Sequence, residues 1–268
     1  MLKTPANAGA KGYTQKGVGC LLRFCLIICI PLTIVLSVKA GYVKLQFPQC
    51  LIQRGYIAQF WYFGSMMIIY ALLPFLQRVI NSRWLSAILV GGATLCSVVF
   101  VLNVLYGFER QVIQTFRLWN WLFYFLWGAY ISKHLDRFKL MKWYWIVPSL
   151  IAYILFFKWV KLGANEYYFC SPVCMVHSTV LFVSMLNLQI AGSKSVTELS
   201  KCFLPIYTLH TYIEVGLCTK TPLFWHLEQI IPNITLTYCI EYVVVAFVCI
   251  VISLALMRLP YMDRIFRI

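Results

Sequence analysis

Long, continuous apolar runs separated by short polar connections dominate the chain. Their apolar positions do not alternate with polar ones, as they would in barrel strands, so the pattern predicts helices. A run of about 20 residues can cross a bilayer, and backbone groups in lipid must pair internally. We therefore predict an all-α, polytopic transmembrane helical bundle of about eight spans. The predicted segments are 19–38, 57–76, 84–106, 116–131, 143–160, 168–190, 203–218 and 234–257.

The composition excludes a soluble globular class. Of 268 residues, 62% are hydrophobic and 12% are charged, which is more apolar surface than a soluble domain can hide. The formal net charge of +15 does not indicate binding of nucleic acid. The Lys and Arg residues are scattered through short loops, which is typical of residues that set the orientation of a membrane protein. The eleven Cys lie mostly in apolar runs without a CxxC pair, so we interpret them as small buried hydrophobes and predict no metal site.

The loop charges predict an orientation. With eight spans both termini lie on one side, and that side carries 15 of the 23 Lys and Arg. Because cytoplasmic loops are enriched in positive charge, this predicts an N-in/C-in topology. Residues 1–17 are then a flexible cytoplasmic tail and 18–268 a single transmembrane domain. In an alternative interpretation the first segment is a signal peptide cleaved after Val38-Lys39-Ala40, which leaves seven spans.

One predicted helix carries ionisable side chains at membrane depth, where they are costly. In 203-FLPIYTLHTYIEVGL-217, helical geometry places Tyr207, His210 and Glu214 on one face. Such a stripe can relay protons or bind a polar substrate. It can equally be a hydrogen-bonded cluster that holds helices together. The residue types alone leave both readings open.

Four further side chains call for an explanation. Arg23 lies one turn inside its segment, where it either reaches headgroup phosphates or offers a fixed cation to an anionic ligand. Glu241 and Trp61 lie near predicted outer ends and are candidates to contact a hydroxyl-rich acceptor, although ordinary interfacial packing also explains them. His177 has hydroxyl neighbours, which favours structural hydrogen bonding.

Four stretches, in order along most of the chain, resemble a known family. They combine a basic residue before an apolar helix with Pro, an aromatic pair ahead of Leu-Pro, a Gly-containing aromatic segment and an Ile-Tyr-x-Leu-His signature. The stretches are 20-CLLRFCLIICIPL-32, 59-QFWYFGSMMIIYALLPFL-76, 122-LFYFLWGAYIS-132 and 200-SKCFLPIYTLH-210. Together they resemble acyltransferase family 3, the membrane proteins that acylate cell-surface sugars.

The resemblance implies transfer of an acyl group, with acetyl expected, from cytoplasmic acyl-CoA to a hydroxyl of a surface or exported polysaccharide. It implies acyl-CoA as the donor substrate and a carbohydrate as the acceptor, with the lipid bilayer as a further partner. It implies neither a bound cofactor nor binding of nucleic acid. A bacterial cytoplasmic (inner) membrane is the expected location.

The same resemblance suggests roles for particular residues. Arg23 corresponds to the family's basic residue at the cytoplasmic entrance and would hold acyl-CoA. Tyr207 and His210 match the signature and would line the acyl cavity. Glu214 is outside the signature, and its candidacy rests on helix geometry. Tyr207, His210 and Glu214 are therefore the candidate catalytic residues. Trp61 and Glu241 are the candidate acceptor-binding residues.

The chain departs from the family pattern at its beginning. Family members usually begin with a helix that carries Arg followed, after ten residues, by a catalytic His, and a second helix with an FFxxSGY-like stretch. Neither pattern occurs in this sequence, and the eight predicted segments match spans three to ten. Three alternatives follow. Either the gene has been read from a late start or after a frameshift; or His210 or another group substitutes as the base in a chain whose activity is impaired by truncation; or the chain is an inactive remnant or a partner for a separately encoded N-terminal fragment. A proton-coupled transporter is a further alternative.

Overall fold

The computed structural model describes residues 47–54, 58–160, 168–188, 199–200, 202–220 and 234–258, with isolated positions 19, 26, 27 and 34. Every regular element in this part of the chain is helical, without a strand, which confirms the all-α prediction. Arg23 and most of the first predicted segment lie outside the described residues.

One short helix and seven longer ones make up the described fold. Each longer helix coincides with one of the predicted segments, because a continuous apolar run satisfies its backbone only by helical hydrogen bonds. The helices are α1 (Phe47–Leu51), α2 (Trp61–Asn81), α3 (Leu85–Tyr106), α4 (Leu118–Lys133), α5 (Ile146–Val160), α6 (Pro172–Asn187), α7 (Phe203–Lys220) and α8 (Ile234–Met257).

Four helices within the described residues are long and apolar enough to cross a membrane. They are Trp61–Asn81, Leu85–Tyr106, Trp143–Val160 and Ile240–Met257, and α6 is a shorter apolar helix. The third span joins α5 to the 3₁₀ turn before it. The predicted number of eight spans and the N-in/C-in orientation stay predictions.

Local signals set several helix ends. Helix α3 stops at Gly107, whose φ of 64° is left-handed and whose N–H donates to the carbonyl of Asn103; glycine adopts this conformation without a Cβ clash. Helix α6 begins after Ser171, whose hydroxyl accepts a 3.1 Å hydrogen bond from Cys174 N. Pro172 follows at the first helical position, where its missing N–H has no cost.

The chain divides into two compact units, Met1–Leu21 with Cys29–Ile190 and Leu22–Ile28 with Ala191–Ile268. In the first unit α4 packs against α2 and α3, and α5 packs against α6. In the second unit α7 packs against α8. The predicted single domain over 18–268 stays a prediction.

Small residues allow close approach inside the first unit. A Cβ added at Gly64 of α2 would overlap the carbonyl oxygen of Leu51 and lie 2.9 Å from Cγ2 of Thr115. Thr115 Oγ1 in turn donates to the same carbonyl at 2.7 Å. Helix α1 and the loop before α4 therefore meet on the face of α2 that lacks a side chain.

Large apolar side chains cover much of the outer surface. Val90 and Leu105 of α3, Trp159 of α5 and Phe247 of α8 are all more than 60% exposed. Exposed apolar faces on this scale are characteristic of a protein surrounded by lipid.

Candidate functional site

A buried carboxylate organises one end of α3 and α4. Only 1% of Glu109 is exposed. Its Oε1 accepts hydrogen bonds from Trp119 Nε1 at 3.2 Å and Asn120 Nδ2 at 3.1 Å. Its Oε2 accepts one from Asn103 Nδ2 at 3.3 Å and lies 3.7 Å from Nη1 of Arg117. These partners offset the cost of burying the charge. Because donors engage both oxygens, we assign this carboxylate a positioning role rather than that of a general base.

The loop that carries Glu109 is tied to both neighbouring helices. The Glu109 N–H donates to Oδ1 of Asn103 at 3.0 Å. Arg117 donates through Nε to the carbonyl of Val112 at 2.9 Å and through Nη2 to the carbonyl of Glu109. Sequence analysis missed this network, because it counted the Arg residues of 107–117 only as topology charges. An acid and an Arg within one short loop between two apolar helices is the signal that was available.

A cavity lined by aromatic and hydroxyl side chains lies between α2, α4 and α6. Its volume is about 400 Å³, and its lining includes Tyr62, Ser65, Trp121, Tyr124 and Ser178. Tyr124 Oη donates to the carbonyl of Phe169 at 2.8 Å, and Trp121 Nε1 donates to the carbonyl of Gln114 at 2.8 Å. Apolar walls with a few fixed polar groups are typical of small-ligand sites.

Trp61, a candidate for acceptor binding, begins α2 beside this cavity. Its ring lies 5.0 Å from the ring of Trp121, with a 30° angle between their planes. The ring of Trp121 also contacts Phe169, with centroids 5.4 Å apart. Half-buried Trp61 is therefore one member of an aromatic group rather than an isolated interfacial residue. Its role toward a sugar stays a prediction.

In the second unit, Tyr207 and His210 lie in direct contact on α7. His210 Nδ1 is 2.7 Å from the carbonyl oxygen of Tyr207, and the two rings are 5.8 Å apart. A carbonyl oxygen only accepts, so Nδ1 carries the hydrogen and Nε2 of the neutral ring keeps its lone pair. The arrangement therefore offers a proton acceptor at Nε2.

The other predicted site residues fall in different places. Glu214 is half-buried one turn beyond His210, on the same helix. Glu241 is half-buried on α8, the helix that packs against α7. Trp61 belongs to the first unit, and Arg23 lies outside the described residues. The catalytic and binding roles of these residues stay predictions.

His177 has a structural environment in the first unit. Its Nδ1 lies 3.0 Å from Ser149 Oγ, and its ring lies 5.3 Å from the ring of Tyr153. These contacts join α5 and α6. Within the described residues, no three His, Cys, Asp or Glu side chains are grouped so that they could hold a metal ion.

The apolar helices and the buried polar groups between them define an integral membrane protein. A family model described as an acyltransferase domain matches residues 2–258. The chain therefore belongs to acyltransferase family 3, as the four motif stretches predicted. No curated protein and no solved structure matches it.

Proposed function

We propose that this chain transfers an acyl group, acetyl being expected, from cytoplasmic acyl-CoA to a hydroxyl of a surface or exported polysaccharide. The expected location is a bacterial inner membrane, which the chain crosses several times. Family membership supports acyl transfer in general. The observation that carries the mechanism is the hydrogen bond from His210 Nδ1 to the Tyr207 carbonyl, which leaves Nε2 as a base.

The reaction needs a base because a sugar hydroxyl is a weak nucleophile at neutral pH. In this proposal His210 Nε2 takes the hydroxyl proton as the oxygen attacks the thioester carbonyl carbon. The carbon–sulfur bond then breaks, and the CoA thiolate leaves and takes up a proton. Tyr207 lies beside the base and is suited to donate a hydrogen bond to the developing oxyanion. Glu214, one turn away on the same helix, would stabilise the imidazolium.

The binding roles complete the proposal. Arg23 would hold the CoA phosphates, to which a guanidinium is well matched. Trp61 would stack on a sugar ring of the acceptor, and Glu241 would accept hydrogen bonds from its hydroxyls. Substituting Arg23 by Ala should weaken CoA binding to the folded protein, and an unchanged affinity would remove that assignment.

The test measures turnover of labelled acetyl-CoA by the purified chain in bilayers, with and without a polysaccharide acceptor. His210→Gln should lower turnover by about 10²-fold or more. His134→Gln, in the loop after α4, is the matched control and should retain it. Equal turnover in both variants would show that His210 is not the base.

Two further results would contradict the proposal as stated. Turnover that appears only when a fragment with the Arg-x10-His helix is added would make the chain a partner subunit. Proton flux into vesicles without acyl-CoA, sensitive to His210→Gln, would favour a transporter.

A further inference from the structure

An apolar groove runs along the outside of the first unit between α3, α4 and α6. Its volume is about 570 Å³. Its walls include Ala93 and Ser97 of α3, Trp127 and Tyr130 of α4, and Met175 and Val180 of α6.

Five polar side chains line the groove, and four of them have hydrogen-bond partners; the fifth is Ser86, which is exposed. Trp127 Nε1 donates to Oγ1 of Thr179 at 2.8 Å, and that hydroxyl donates to the carbonyl of Met175 at 2.7 Å. Ser97 Oγ donates to the carbonyl of Ala93 at 2.8 Å. A wall whose polar atoms are mostly satisfied internally favours a hydrocarbon occupant over a polar one.

The length of the groove corresponds to one leaflet of a bilayer. The lining residues of α3 run from Ser86 to Ser97. At about 1.5 Å per residue this span is about 16 Å. Half of a hydrocarbon core is about 15 Å thick, so an extended acyl tail of one leaflet fits along the groove.

A basic loop closes one end of the groove. Phe138 and Met141 line that end. Loop 133–142, counted from the last residue of α4, carries four Lys or Arg against one Asp. Arg137 Nη1 donates to the hydroxyl of Tyr130 at 3.1 Å, which ties the loop to the groove wall. Lys142 follows Met141 directly and is exposed. The positive charge therefore lies where the tail would leave the groove.

Aromatic side chains place this loop at headgroup depth. Trp143 and Tyr144 are 61% and 53% exposed, and Leu140 is 84% exposed. Exposed Trp and Tyr at a helix end are typical of the membrane interface. Basic residues at this depth attract anionic headgroups.

We propose that this groove and loop form a binding site for one anionic phospholipid, with an acyl tail between α3, α4 and α6 and the phosphate at Arg137 and Lys142. The site lies within the first unit and is independent of the acyl-transfer proposal. Its lipid belongs to the leaflet that faces loop 133–142.

Tryptophan quenching by brominated lipids tests the site. The intact chain is placed in phosphatidylcholine nanodiscs that contain tail-brominated phosphatidylglycerol or, separately, tail-brominated phosphatidylcholine. At the same mole fraction, brominated phosphatidylglycerol should quench tryptophan fluorescence more than brominated phosphatidylcholine does, because it occupies the groove beside Trp127. Trp127→Phe should remove that excess and leave the remaining quenching unchanged.

Two variants separate the headgroup from the tail. Arg137→Gln with Lys142→Gln should weaken the phosphatidylglycerol preference about fivefold for each charge removed, whereas Lys158→Gln on α5 should not. Ala93→Phe fills the groove and should abolish the excess, whereas Ala152→Phe on exposed α5 should retain it. A monodisperse, helical variant is required for each comparison.

Specific results would overturn the site. Equal quenching by the two lipids, or an excess that survives Trp127→Phe, would show that no anionic lipid occupies the groove. Displacement of the excess by a long-chain acyl-CoA at lower mole fraction than phosphatidylglycerol would assign the groove to the acyl donor instead. That outcome leaves turnover at His210 unaffected, so the two proposals fail separately.

Discussion

Oε2 of Glu109 and Nη1 of Arg117 lie 3.7 Å apart, and both side chains are almost completely withdrawn from solvent. The pair joins the beginning and the end of the loop between α3 and α4. Trp119 Nε1 donates to the same carboxylate at 3.2 Å, so the start of α4 depends on this contact. The charges of Glu109 and Arg117 therefore stabilise the local fold, and they do not act only as signals for membrane topology.

Substituting Glu109 by Gln should destabilise the first unit strongly. Breaking a buried pair leaves an uncompensated charge on Arg117 and costs about 3–5 kcal/mol. The measurement is thermal unfolding of the purified protein in detergent, followed by helical circular dichroism. Adding Arg117→Met should recover part of the loss, because the orphaned charge is removed. An unchanged melting temperature in the single variant would contradict the positioning role.

Substituting Gly64 by Ala should also lower the melting temperature. The new methyl group would meet backbone at Leu51 and the side chain of Thr115, and overpacking of this kind costs about 1–3 kcal/mol. Gly91→Ala in α3 is the matched control, because a Cβ there meets nothing within 4 Å. Equal behaviour of the two variants would mean that α1 does not pack closely on α2.

The contact between His210 and Tyr207 predicts an asymmetry between two substitutions. His210 Nδ1 uses the main-chain carbonyl of residue 207, which Tyr207→Phe retains. Both Tyr207→Phe, which removes the oxyanion donor, and His210→Gln should lower acetyl-CoA turnover, but the pH profile of Tyr207→Phe should keep the wild-type midpoint. A shifted midpoint in Tyr207→Phe would show that the phenol, and not the carbonyl, sets the state of the imidazole.

The exposed pair of Asp136 and Lys139 predicts a small pH effect. The hydrogen bond and charge of Lys139 lower the pKa of the Asp136 carboxyl below its ordinary value of 3.8. A lowered folded-state pKa contributes stability that is present above 3.8 and is lost as the pH falls through the lowered pKa. Lys139→Gln should return the pKa toward its ordinary value, whereas Lys142→Gln should not, as measured by carbon NMR of labelled Asp. Identical titration of the Asp136 carboxyl in both variants would show that Asp136 and Lys139 do not pair in solution.

The sequence by itself determined the helical class and most helix positions. The run 84–106 predicts α3 to within one residue at its start, because an uninterrupted apolar segment satisfies its backbone only as a helix. The contact of Tyr207 with His210 was equally accessible, since residues three apart on a helix are neighbours. The motif order identified the family that the matching model confirms.

Only the tertiary structure decided which loop charges are buried. A helical or alternating period carries no information about the loop 107–117. Glu109 and Arg117 both lie in that loop, but the periodicity does not show that their side chains are paired and buried. The contact of Trp61 with Trp121 and the groove beside Trp127 likewise depend on how separate helices pack. Packing between distant segments depends on the shapes of all their side chains and on a hydrogen-bond partner for each buried polar group. The local pattern of apolar and polar residues does not contain this information.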